Sequence, residues 1–339
     1  MRVALGCVGL MLLGACAHER AATPTVAAAR ETAPMTGRGD RADDAAIWVH
    51  PSDAARSLIL ATNKAEGLYV YDLHGAERQR LSVGLSNNVD VRGDLAVASN
   101  DGVNALSWFR IDPFAGAVRH VGDTPLERRE PYGVCLGRAD GRMQVAVTFK
   151  DGSIDVWSVR NDAQRAPDLA DKRSVKLASQ IEGCVIDDEA GRLFVGEETA
   201  GLWAMNLADL TPTLVDAVGS ASGLAADVAG VALYAQAWGT GYIVISAQAK
   251  DRFVLYERAP PHRALGRFRV GASLDGTVDA VTHTDGLDVV SAALPGFPRG
   301  LLVVQDDGNP RSGVDQNFKL VNWAEVLQAV QSPRSRRRP

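Results

Sequence analysis

Carboxylates recur along this chain at the starts of apolar runs. Asp44, Asn88, Tyr132, Glu182, Asp227 and Asp285 each open such a run, at spacings of 44, 44, 50, 45 and 58 residues. Further oxygen donors sit beside them or at the ends of the following apolar runs: Asp43, Asp90, Glu197, Gln248 and Asp306. Two cations, Lys64 and Lys150, hold matching positions in the first and third repeats. Carboxylates brought together repel one another and raise each other's pKa. Oxygen-rich clusters of this type suit a hard cation such as Ca²⁺. No Cys/His spacing for zinc is present. No Ser-His-Asp or Cys-His nucleophile motif surrounds His50, His120 or His283. An acidic mouth with embedded lysines can hold an anionic ligand when metal ions reverse the local sign. Taken singly, each Asp is also an ordinary turn residue. The metal reading rests on six repeats converging on one rim.

The elements that must position these residues are short strands. After each anchor run come a second β-rich run, such as Leu58-Ile59-Leu60-Ala61-Thr62, and a third, such as Ile154-Asp155-Val156-Trp157-Ser158. A more polar fourth run often closes the unit. Four strands per repeat of this length is the pattern of a propeller blade. The spacing predicts an all-β, six-bladed β-propeller over residues 42–331. An up-and-down blade places the start of its first strand and the end of its second at the same rim. The last repeat lacks its fourth strand, and residues 23–29 are expected to supply it and close the ring. Residues 322–331 read as a short terminal helix.

The chain has 339 residues and a net charge of −5, which argues against a general nucleic-acid surface. Arg2 and the apolar residues 3–13 have the shape of a signal peptide, too short to span a membrane as a mature helix. The signal ends in Leu13-Gly14-Ala15-Cys16, which resembles a bacterial lipoprotein cleavage box. Residues 1–16 are therefore read as a lipoprotein-type signal, 17–41 as tether plus closing strand, and 332–339 as a solvated basic tail. An exported, outer-membrane-anchored monomer facing the periplasm or the exterior is expected, touching the membrane only through its lipid. Cys135 and Cys184 occupy near-equivalent places in consecutive repeats. Export permits a disulfide between them; two buried free thiols are the alternative.

At these residues the chain resembles the β-propeller phytases, the alkaline, calcium-dependent 3-phytases. The resemblance is carried by Asp43-Asp44-Ala45-Ala46-Ile47-Trp48-Val49-His50-Pro51, Ala61-Thr62-Asn63-Lys64, Asn87-Asn88-Val89-Asp90-Val91-Arg92, Tyr132-Gly133, Glu182-Gly183-Cys184-Val185-Ile186-Asp187-Asp188-Glu189 and Thr284-Asp285-Gly286-Leu287-Asp288. It covers residues 43 to about 326, and the order and spacing of the segments make it specific. The resemblance implies a six-bladed propeller that hydrolyses phosphate monoesters of myo-inositol hexakisphosphate with several calcium ions. It implies catalytic roles for Tyr132, Glu182 and Asp227, and substrate contacts from Lys64, Lys150 and Tyr132. It further implies metal ligation by Asp43, Asp44, Glu182, Glu197, Asp227, Gln248, Asp285 and Asp306, with Asn88 and Asp90 supporting a neighbouring ion. Three positions depart from the family pattern. Asp101 stands where an Arg is common, Ala229 where a carboxylate is usual, and His283 where an Asp is common. These departures keep an alternative open: a weakened or inactive phytase-like propeller that binds inositol phosphates or a protein. A calcium lactonase is a further rival, but a neutral lactone gives the rim lysines nothing to bind.

Overall fold

The computed structural model describes residues 23–37, 39–160, 165–309 and 316–331. The expected signal, Cys16 and the basic tail lie outside the described residues.

Each blade has a core of four antiparallel strands ordered from the inside outwards. Blade one runs Ala42–Trp48, Leu58–Asn63, Gly67–Asp72 and Glu77–Ser82. The inner strands of the next blades are Ser86–Arg92, Pro131–Ala139, Ile181–Asp187, Val228–Ala235 and Leu287–Val290. Each inner strand touches the next, and the sixth touches the first, so the sheets close into a ring. Burial follows the same order. All seven residues of Ala42–Trp48 are buried, because blades cover both of its faces. Glu77–Ser82, on the rim of the disc, alternates exposed and half-buried residues as a one-sided strand should. Blades adhere through apolar side chains at their interfaces; Trp48, Leu60, Val89 and Phe109 share one cluster between blades one and two. Short turns keep the strands in register. Asp140 and Gly141, both at positive φ (51° and 75°), form the two-residue turn between Ala139 and Arg142.

An N-terminal strand closes the last blade, immediately downstream of the expected residues 23–29. Arg30–Glu31 pairs antiparallel with Asn317–Asn322, placing Glu31 opposite Lys319. Residues Thr25–Ala27 instead pair parallel with Ala264–Gly271 and give blade five a fifth strand. Side-chain chemistry explains the shift. Val26 and Ala28 are apolar and enter the core beside Phe253, Phe268 and Val270. The ladder beside blade six needs a charge: fully buried Lys319 Nζ lies 2.6 Å from Glu31, 2.6 Å from Asp279 and 3.0 Å from Asp306. The terminal helix spans Trp323–Gln331. Its Trp323 stacks on Tyr234 with ring centroids 4.7 Å apart. Cys135 and Cys184 form a disulfide that joins the inner strands of blades three and four, with Cα atoms 5.8 Å apart. No described helix is long and apolar enough to cross a membrane.

Candidate active site

A β-bulge shapes the start of the inner strand in blades one to five. The register on the second strand shifts between Ala42 and Ala45, Ser86 and Val89, Pro131 and Val134, Ile181 and Cys184, and Val228 and Val231. Two residues of the inner strand thus oppose one residue of its neighbour. The bulged pairs are Asp43-Asp44, Asn87-Asn88, Tyr132-Gly133, Glu182-Gly183 and Ala229-Gly230. Asp285-Gly286 holds the corresponding place at the start of blade six. The first member of each pair forms a ring around the channel mouth: Asp43, Asn87, Tyr132, Glu182, Ala229 and Asp285. The spacing frame of the sequence therefore slips by one in blades one and two and by two in blade five, where Ala229 and not Asp227 is equivalent. Alternation of apolar residues does not register a bulge, which is why the sequence missed it.

Three ring members from separate blades converge. Asp43, Glu182 and Asp285 are buried, and one carboxylate oxygen of each lies within 4.8 Å of the others. Lys64 Nζ joins them at 3.1 Å from Asp43 and 3.2 Å from Asp285, and reaches exposed Asp40 at 3.0 Å. Burial raises the pKa of Asp43 well above the usual carboxylate range; Lys64 opposes this and the charge of Asp285 adds to it. Burial likewise raises Glu182, reinforced by Asp285 and Asp43. Burial opposes the charge of Lys64, but Asp43, Asp285, Asp40 and Glu182 outweigh it and hold the ammonium protonated. Tyr132 borders the cluster. Burial, then the charges of Glu182, Asp43 and Asp285, push its phenol upward, so it stays a neutral hydrogen-bond donor. Lys150 Nζ lies 5.0 Å from the Tyr132 ring centroid and 3.7 Å from Asp101.

The remaining sequence-derived residues stand around this centre. Asp44 is buried and accepts hydrogen bonds from Asn88 Nδ2 (3.0 Å) and Val89 N (3.2 Å) of the next blade. Asp90 lies deeper in the axial channel, accepting from Leu136 N at 2.7 Å and paired with Arg92 at 3.3 Å. Asp306 belongs to the Lys319 cluster of blade six, and also accepts from Thr282 N at 2.8 Å. Glu197 is committed to Ser179 N (2.7 Å) and Trp203 Nε1 (2.9 Å). Its neighbour Glu198 is the other half of the Glu-Glu pair that ends the second strand of blade four in sequence. Burial and then Asp227 raise the Glu198 pKa, with Lys150 and a Gln180 hydrogen bond opposing. Asp227 and Glu198 are neighbours in the fold: the N–H of Val228, next to Asp227, bonds Glu198 O at 3.2 Å. Asp227 sits at a left-handed φ of 55° and its carbonyl accepts from Gln248 N at 2.9 Å. Asp40 was missed; it precedes the first strand and carries no repeat signature. His50 and His120 have structural bonds, to Pro113 O and Asp123 respectively, each at 2.9 Å. Beneath the ring, an axial cavity of about 550 Å³ is lined by Asp44, Asn88, Asp90, Arg92 and Asp288 among others. Asp43, Glu182, Lys64 and Tyr132 do not line it, so the convergent site is the rim above.

The family model described as Phytase matches residues 4–335. This chain belongs to the phytase family. A curated phytase-family relative, the 3-phytase of Bacillus subtilis (strain 168), is 35% identical over 327 residues, covering 89% of this chain and 85% of its own. Among solved structures, a chain of a nidogen/laminin complex aligns at 12% identity and a TM-score of 0.47, covering 68% of this chain and 81% of that chain.

Proposed function

We propose that this phytase-family protein is a calcium-dependent phosphomonoester hydrolase, a 3-phytase, releasing phosphate from myo-inositol hexakisphosphate. One observation carries the reading: the convergence of Asp43, Glu182 and Asp285 beside Lys64 and Tyr132. Oδ2 of Asp43 and Oε1 of Glu182 are buried and accept no hydrogen bond among the described residues, while Oδ1 of Asp43 pairs with Lys64 at 3.1 Å. Buried orphaned carboxylate oxygens are costly unless a cation takes them. Three hard oxygen ligands and no thiolate or imidazole suit calcium. Asp43, Glu182 and Asp285 would hold one ion, and Asp227 and Glu198 offer a further acidic pair.

Bound calcium supplies positive charge against the phosphate oxygens and acidifies water at the site. The chain's own residues supply the rest. Lys64 and Lys150 flank the centre as point charges for a polyanion. Tyr132, kept protonated, donates a hydrogen bond. Overall, water adds to phosphorus, the bond from phosphorus to the ester oxygen breaks, and a proton reaches the departing inositol hydroxyl. Inorganic phosphate and the lower inositol phosphate leave. The Cys135–Cys184 bridge supports an oxidising compartment and so the exported reading.

The test is phosphate release from phytate by the purified mature chain. Chelation is expected to abolish it and added Ca²⁺ to restore it, with calcium also raising the melting temperature. Full activity in excess chelator sinks the calcium mechanism.

A further inference from the structure

The second strand of each blade opposes the bulge with one residue: Thr62, Ser99, Thr148, Gly196 and Ser246 in blades one to five. Three of these hydroxyls bridge two blades in the same way. Each accepts the N–H of the second bulge residue in its own blade and donates to the carbonyl of the first bulge residue in the next. Ser99 accepts from Asn88 N at 3.1 Å and donates to Tyr132 O. Thr148 accepts from Gly133 N at 2.9 Å and donates to Glu182 O at 2.9 Å. Ser246 accepts from Gly230 N at 2.7 Å and donates to Asp285 O at 2.8 Å. At the joint between blades six and one, Gly286 N bonds Asp43 O directly at 2.9 Å.

Hydroxyls fasten Tyr132, Glu182 and Asp285, and a direct backbone bond fastens Asp43. These are the residues that meet at the rim. The joint between blades four and five has Gly196 in place of a hydroxyl, and there the ring position is Ala229, which has no polar side chain. At the joint between blades one and two, Thr62 bonds, among the described residues, only the N–H and carbonyl of Asp44 in its own blade. Fastening of the backbone thus coincides with a functional side chain on it. Glycine at the second bulge position lets the strands close. A Cβ on Gly133 would collide with Glu182 O, and one on Gly183 with Ala229 O.

We infer that Thr148 and Ser246, with Ser99, are positioning residues for the site: their hydroxyls fix the backbone of Glu182, Asp285 and Tyr132 and so set the spacing of the metal-binding ring. This rests on the calcium-site reading given above. A carboxylate ring of this type must be held to within about 0.5 Å for productive geometry, and a misplacement near 1 Å costs roughly 100-fold in rate.

The experiment compares Thr148→Val, Thr148→Ser, Ser246→Ala and a control, Ser107→Ala. Ser107 is equally buried but bonds Asn100 and Asp123 within its own blade. Each variant of the mature chain is titrated with calcium chloride, following melting temperature and, separately, phytate turnover. Thr148→Val and Ser246→Ala should raise the calcium concentration for half-maximal thermal stabilisation about fivefold or more. They should lower kcat about tenfold, with KM for phytate changed less than about twofold. Thr148→Ser should restore both, and Ser107→Ala should lower only the melting temperature. If the bridging variants merely melt earlier, with calcium midpoint and kcat unchanged, the inference is overturned. Should Thr148→Val not fold, Ser246→Ala carries the same comparison. If wild type binds calcium but releases no phosphate, the catalytic reading fails while the calcium midpoints still decide the positioning role.

Discussion

At the scale of the residue, the site is an electrostatic problem left partly unsolved by the protein alone. Asp43, Glu182 and Asp285 crowd one lysine, and burial raises Asp43 and Glu182. A carboxylic acid raised in the folded state binds more protons folded than unfolded. Its stabilising contribution is full below the unfolded pKa and is lost as pH rises through the folded one. In the channel, burial and then Asp90 push Asp288 up to about 6. The chelated protein should therefore lose stability from roughly pH 4, the ordinary carboxylate value, through pH 6 and above. Calcium bound there as proposed would displace those protons, so its affinity should climb over the same window. Calorimetric titration at several pH values reads this directly, and a flat affinity would contradict it. Glu182→Gln should weaken calcium binding, flatten that dependence and slow turnover at least about tenfold, about 1.4 kcal/mol in the barrier. Its circular dichroism should match wild type.

At the scale of the element, the bulge is the device that makes a site from a strand. It turns one residue per blade to the rim and leaves the next against the neighbouring strand. The inner strands' open edges are stitched by carboxylates: Asp288 accepts Ile47 N at 2.7 Å, and Asp188 accepts Arg138 N at 2.9 Å. Asp90 does the same for Leu136 N, which gives that residue a structural bond besides any ion it supports. Blade five differs from its neighbours, because Ala229 fills the ring position and is fully buried. Ala229→Glu adds a buried carboxylate near Glu182 and Asp285. With chelator its melting temperature should fall, since like charges gather without a partner. With calcium it should rise above wild type, and half-maximal activity should need less calcium, because affinity follows ligand charge and number. A higher calcium requirement would mean that the site needs no acid at the blade-five position.

At the scale of the whole molecule, ring closure decides whether blades one and six stay together and hence whether Asp43 meets Asp285. Lys319 is the clasp. It is fully buried and draws Glu31 of the closing strand to Asp279 and Asp306. Lys319→Met keeps volume but strands three carboxylates, which should cost about 3–5 kcal/mol. Urea unfolding is the measurement, and a midpoint equal to wild type would show that the strand closes the ring without its charge. The disulfide acts at the opposite side of the ring, holding the strands that carry Tyr132 and Glu182.

The repeat of apolar runs with polar openings was enough to define six blades and one acidic rim, because blade burial demands local periodicity. Asp43, Tyr132, Glu182, Asp285 and Lys64 were legible for the same reason: they sit at fixed offsets from strands the sequence announces. Tertiary structure alone decided which acids meet. Bulges slip the side-chain frame by one residue without disturbing hydrophobic alternation. In blade five the ring position is Ala229, two residues past Asp227; Glu197 turns towards Ser179 and Trp203, and Asp306 pairs with Lys319. Closure was likewise hidden, since residues 25–27 and 30–31 are separated by two residues yet join different blades. Their choice depends on a buried lysine some 290 positions away in the chain, and long-range charge pairing of that kind leaves no mark on local sequence.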